Sequence, residues 1–138
     1  MKTLRILIVT LMLISAQAMA EMVVVVSEKA PVKSLSSRDI ASIFLSKTKY
    51  FPDGTRAVPM ELEEDRLKSD FYQFLAGKTP AEVNAYWATL VFTGKGKPPK
   101  GFDDKDEYLR QLEDLPGAIG YLPEDDVPSN MRVVHVLP

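Results

Sequence analysis

The amino-acid sequence predicts an α/β domain. Residues 22–26 form a continuous, valine-rich apolar run, the pattern of a strand buried on both faces. Between residues 36 and 114, apolar residues recur at helical spacing, bracketed by capping residues and glycines. Two further strand-like runs, 118–122 and 132–137, follow a Pro-Gly pair.

Taken in order, the valine run reads as the central strand, of the kind found in parallel sheets, and Ser27 closes it. Ser36 followed by Asp39 opens a helix whose Ile40, Ile43, Phe44 and Lys47 share one face. Pro52-Asp53-Gly54 forces a turn, and residues 57–60 read as a short strand with Pro59 marking an edge or a strand end. The second helix spans 65–76, with Leu67, Phe71, Phe74 and Leu75 as its apolar stripe and Gly77 as its stop. Thr79, Pro80 and Glu82 give the third helix the strongest start signal in the chain, a capping box with proline at the first helical position. Val83, Tyr86, Trp87 and Leu90 line its predicted buried face. Residues 94–101, Gly-Lys-Gly-Lys-Pro-Pro-Lys-Gly, read as a mobile basic loop. A fourth helix at 104–114 buries Tyr108 and Leu112.

The first twenty residues read as a cleavable export signal. Lys2 and Arg5 precede an apolar run at 6–14 broken only by Thr10, and Ala18-Met19-Ala20 supplies a small-x-small cleavage site, which places the mature N-terminus at Glu21. The run is far shorter than the ~20 residues of a membrane-spanning helix. The sequence contains no cysteine, which excludes a disulfide and a lipid-modified cysteine. Cleavage removes two cations and no acid, moving the formal charge from −2 to −4. That balance argues against a nucleic-acid partner, which calls for clustered cations. Residues 21–138 form one expected domain, long enough for a core unaided by metal or disulfide. No pattern calls for a metal, a cofactor or an enzyme active site: GxSxG, HExxH and GxxxxGK[ST] are all missing. His135 has no second His or Cys to share a metal and reads as structural.

Several stretches carry a family resemblance. They are Leu35-Ser36 through Ile43-Phe44-Leu45-Ser46-Lys47, Phe51-Pro52-Asp53-Gly54, Phe71-Tyr72, Tyr86-Trp87, Phe92-Thr93-Gly94-Lys95-Gly96-Lys97-Pro98-Pro99, and Pro116-Gly117-Ala118-Ile119-Gly120-Tyr121. In this order they resemble the phosphate-type periplasmic substrate-binding proteins of ABC transporters, over nearly all of residues 21–138. The resemblance implies a single lobe of the type II periplasmic-binding-protein fold, a mixed sheet flanked by about four helices. It also implies a soluble protein in the periplasm that binds phosphate or a related small anion. Full members have two lobes and this chain has the length of one, so a homo-oligomer or another envelope protein is the expected source of a second. The family's Ser/Gly/Thr-rich ligand signature is replaced here by Met60-Glu61-Leu62-Glu63-Glu64-Asp65-Arg66-Leu67.

Three residues stand out as ligand-binding candidates. Arg66 is suited to pair with an anion at a helix N-terminus. Ser27 ends a strand, where open α/β sheets hold ligands, and Lys95 sits in the basic loop, where an anion or an acidic partner can be attracted. The acids at 61–65 repel phosphate and themselves satisfy the helix dipole. They favour a second reading: an interaction module that keeps the fold without the anion site and contacts a transporter or sensor component through the basic loop. Mass spectrometry of exported protein is expected to find Glu21 as the first residue; an intact Met1 on exported material contradicts the export signal.

Overall fold

The computed structural model describes residues 21–138; the stretch read as an export signal lies outside the described residues. Five strands, β1 (Met22–Ser27), β2 (Val58–Leu62), β3 (Lys100–Phe102), β4 (Ala118–Pro123) and β5 (Met131–Val136), form one mixed sheet in the order β3-β2-β4-β1-β5. Four helices accompany them: α1 (Ser37–Phe44), α2 (Asp65–Ala76), α3 (Pro80–Phe92) and α4 (Lys105–Asp114). β1 pairs antiparallel with both β4 and β5, whereas β2 runs parallel to β3 and β4. The expected parallel central strand is therefore corrected. β1 is an interior strand that runs against the others, and β4 occupies the middle. Burial on both faces requires only neighbours and helices on each side, not parallel pairing.

The period of two distributes strand residues to two cores. Met22, Val24 and Val26 of β1, with Ile119 and Tyr121 of β4, join α1, α2 and Val83 of α3 on one face. Val23 and Val25, with Ala118 and Leu122, pack on Tyr108 and Leu112 of α4 on the other. Each such aliphatic side chain contributes ~1.5–3 kcal/mol when fully buried.

Local signals account for the helix ends. Ser36 and Asp39 form the reciprocal capping box of α1, and Gly77 ends α2 in the left-handed conformation at φ 62°. Thr79 accepts the Glu82 N–H at α3, but Glu82 receives the Thr79 hydroxyl instead of the Thr79 N–H, so the predicted box is half formed. Asp104 caps α4 by accepting from the Asp106 N–H.

Other expectations are corrected. Of the two readings of Pro59, the strand end holds, since it is the second residue of β2, and the edge does not: β2 lies between β3 and β4, and Pro59 is tolerated because β3 joins only from Met60 onward. The 94–101 stretch is not wholly loop, since Lys100–Phe102 forms β3, a three-residue edge strand too short to show a period. Tyr72 is buried on α2, whereas Phe74 is 51% exposed. On α3 only Val83 is buried, with Tyr86, Trp87 and Leu90 half-buried and Phe92 92% exposed.

Gly120 marks the tightest packing of sheet on helix. A Cβ at this position meets the Tyr108 hydroxyl and the Leu112 side chain. The Tyr108 hydroxyl donates to the Tyr121 carbonyl (3.1 Å) and accepts the Tyr121 N–H (2.9 Å), so it cannot withdraw without cost. Gly120→Ala is expected to destabilise by about 1–3 kcal/mol; a change below about 0.5 kcal/mol in urea unfolding contradicts this packing.

Candidate functional site

β2, β3 and β4 all point their C-terminal ends to one edge of the sheet, and the chain leaves β2 there to begin α2. A cleft of about 750 Å³ opens beside that junction. The end of β2 and the first turns of α2 form one wall. Pro80, Val83, Asn84 and Trp87 of α3 form a second, and Pro98 and Pro99 close a third side.

Glu61 lies at the base of the cleft and is only 3% exposed. Its Oε2 accepts hydrogen bonds from the hydroxyls of Tyr72 (3.1 Å) and Tyr121 (3.0 Å), while Lys68 Nζ lies 3.4 Å from Oε1. Lys68 also pairs with Glu63 at 3.0 Å. Burial is the largest influence on Glu61 and pushes its carboxyl above the usual range; Lys68 and the Tyr121 and Tyr72 hydroxyls pull it only part of the way back. Burial alone lowers the Lys68 pKa, but the Glu61 and Glu63 carboxylates outweigh it and hold the ammonium above its ordinary value. Tyr72 and Tyr121 are raised by burial and then by the Glu61 charge, so both hydroxyls remain donors.

Arg66 and Ser69 stand on the same wall of the cleft. Glu64 is the N-cap of α2 and makes no side-chain cap, which leaves the first N–H groups of the helix available to an acceptor. Lys95 is elsewhere. It lines a separate groove of about 520 Å³, across Pro98 and Pro99 from the cleft. Ser27 is at the opposite end of the sheet, because β1 runs against β2 and β4. Its hydroxyl donates to the Glu113 carbonyl (2.8 Å) and accepts the Lys29 N–H (3.1 Å) in a nearly closed environment. The three sequence-derived candidates thus occupy three different places, and only Arg66 lies in the cleft.

The acids at 61–65, read together as satisfying the helix dipole, divide in the structure: Glu61 is buried, while Glu63, Glu64 and Asp65 are exposed. A signal for this was present: a glutamate between the strand residues Met60 and Leu62, with tyrosines at 72 and 121 inside otherwise apolar stretches as prospective donors. Trp87 belongs to the cleft wall instead of a closed core, with Tyr86 packed edge-on at 5.0 Å. His135 is held by the Leu35 carbonyl on Nδ1 (3.0 Å) and the Ser37 hydroxyl on Nε2 (3.1 Å).

This architecture is that of one lobe of a periplasmic-binding-protein fold. Among solved structures, one from Clostridium perfringens, described as a phosphate ABC transporter substrate-binding protein with bound phosphate, matches with a TM-score of 0.62 and 18% identity, over 83% of this chain and 44% of its own. An ABC-type phosphate transport receptor from Vibrio cholerae matches with a TM-score of 0.55 and 10% identity, over 84% of this chain and 46% of its own. A structure from Planctomyces limnophilus, described as that of a "possible phosphate binding protein", matches with a TM-score of 0.62 and 12% identity, over 84% of this chain and 41% of its own. The chain therefore spans less than half the length of these three structures. No family model matches the sequence, and no curated protein matches it. No helix among the described residues is long and apolar enough to cross a membrane.

The raised Glu61 pKa has a definite sign in stability. The contribution of the protonated form is complete below the ordinary value of 4.5 and is lost as pH rises through the higher folded-state value. Glu61→Gln removes that loss while keeping the side chain's shape. Its stability relative to the parent is expected to increase from pH 4 to pH 7 in urea unfolding; a relative stability that falls over that interval contradicts the assignment.

Proposed function

We propose that this domain is an exported, periplasmic solute-binding protein of the phosphate ABC transporter type, which takes phosphate or a related small anion in the cleft. The observation that carries this reading is the N-terminus of α2, which opens on the cleft without a side-chain cap and beside Arg66. Free N–H groups and the helix dipole attract an oxyanion, and a guanidinium can add two parallel bonds. The similarity to solved phosphate-binding structures supports the same ligand class. Glu61, Glu63 and Asp65 line the same space and oppose the anion, while Lys68 is engaged by Glu61 and Glu63. A single lobe leaves one side open to water. A second lobe, from another copy or from a transporter or sensor component, is the proposed means of closure.

One observation favours the alternative, an envelope interaction module without an anion site: the ion pair of Glu61 and Lys68 already fills the base of the cleft. Calorimetric titration separates the two. Phosphate is expected to bind no more tightly than about 0.1 mM, with Arg66→Ala abolishing binding and the pair Glu63→Gln, Glu64→Gln strengthening it. Sub-micromolar binding by a demonstrated monomer contradicts the open, acid-lined site. No binding to the parent or either variant favours the interaction module.

A further inference from the structure

We propose that the groove across Pro98 and Pro99 from the cleft is a second, independent anion site, built for an oxyanion carrying several adjacent charges, of the oligophosphate class. Five cations line it, Lys49, Arg56, Lys95, Lys97 and Lys100, and no aspartate or glutamate does. The chain as a whole is net negative, so this segregation concentrates positive potential on one concave surface. The ion pairs of the described residues engage Lys68 and Lys105, and none uses a groove cation.

The cations come from segments fixed to one another. Tyr50 and Arg56 form a β-bridge, and the Ala57 N–H donates to the Lys49 carbonyl at 2.9 Å. On the facing side the Lys95 N–H donates to the Leu90 carbonyl at 3.0 Å, and Lys100 Nζ lies 5.1 Å from the centre of the Phe102 ring. Ser46, in the left-handed region at φ 59°, packs against Gly96 so closely that a Cβ there lies 2.8 Å from Ser46 Oγ. That contact joins the two sides through residues with little bulk, and Ser46 and Gly96 both line the groove.

A groove of about 520 Å³ is much larger than one phosphate, and its charges come from separate chain segments. A single phosphate can approach only some of them, whereas a linear oligophosphate can span them. All five side chains reach solvent, so the attraction is screened by salt, over about 10 Å at 0.1 M.

The test is titration of the purified protein with tripolyphosphate and, separately, inorganic phosphate, at low and high salt. Tripolyphosphate is expected to bind at least about tenfold more tightly than phosphate at about 20 mM salt, and to weaken about tenfold at about 0.3 M. The double variant Arg56→Gln, Lys97→Gln should weaken it at least about tenfold, and Arg66→Ala should leave it within about twofold. Lys95→Gln with Lys100→Gln provides a second variant, and circular dichroism checks that each stays folded. Equal affinity for the two ligands, indifference to both groove variants, or loss of tripolyphosphate binding in Arg66→Ala overturns the proposal. Loss of phosphate binding alone in Arg66→Ala concerns the cleft and leaves the groove standing.

Discussion

The placement of α2 against the sheet depends on one buried charge. Glu61 brings a carboxylate from β2 to a nearly buried position at the base of the cleft, where an unpaired charge is costly. β4 sends the Tyr121 hydroxyl to it, and α2 sends Tyr72 and Lys68. Three elements are thereby tied to a single group. Phe71 stacks on Tyr121 with 3.7 Å between ring centres, and Phe44 packs edge-on to both. Hydrophobic burial supplies most of the stability around this point, but it is non-directional. The carboxylate adds direction: only one setting of α2 brings Tyr72 and Lys68 together at Glu61, and that setting fixes where the first turn of the helix opens.

Two concave surfaces share the wall of Pro98 and Pro99 and have opposite electrostatic character. The cleft mixes both signs and has internal partners for much of its charge. The groove is of one sign, and no ion pair among the described residues uses its charges. Solved structures of similar fold speak to the architecture of both surfaces, but at 10–18% identity they carry the chemistry of neither. What either surface binds depends on residues particular to this chain.

How much of this was legible in the sequence follows from how local each signal is. Capping and turn chemistry act over a few residues, so Ser36, Pro80 and Asp104 placed the starts of α1, α3 and α4 and Gly77 the end of α2 within a residue or so, whereas Lys47, read on the face of the first helix, lies beyond the end of α1 at Phe44. β4 and β5 were equally plain, because alternation or continuous apolarity bounded by turns is also a local property. Strand order and direction are not local, which is why β1 read as a parallel central strand. β3 is too short for a pattern, and its partner β2 defines it. At the cleft, Arg66 was legible as a charge at a helix start. The burial of Glu61 was signalled only by its place between Met60 and Leu62; that tyrosines 11 and 60 residues away in the chain meet it there is set by the fold. Ser27 and Lys95 were read correctly as a strand end and a loop cation, but the side of the sheet on which each lies is set by the topology.

The amphipathic pattern that normally orients a helix is missing from α3, whose apolar residues are distributed around its circumference, with Phe92 and Val91 exposed and Val83 alone buried. Apolar burial therefore distinguishes poorly among rotations of this helix about its own axis. The Tyr86 hydroxyl, which donates to the Leu45 carbonyl at the end of α1, does distinguish them. That one bond acts as an azimuthal stop: it sets which way α3 is turned, and with it whether Trp87 and Asn84 face the cleft or the solvent.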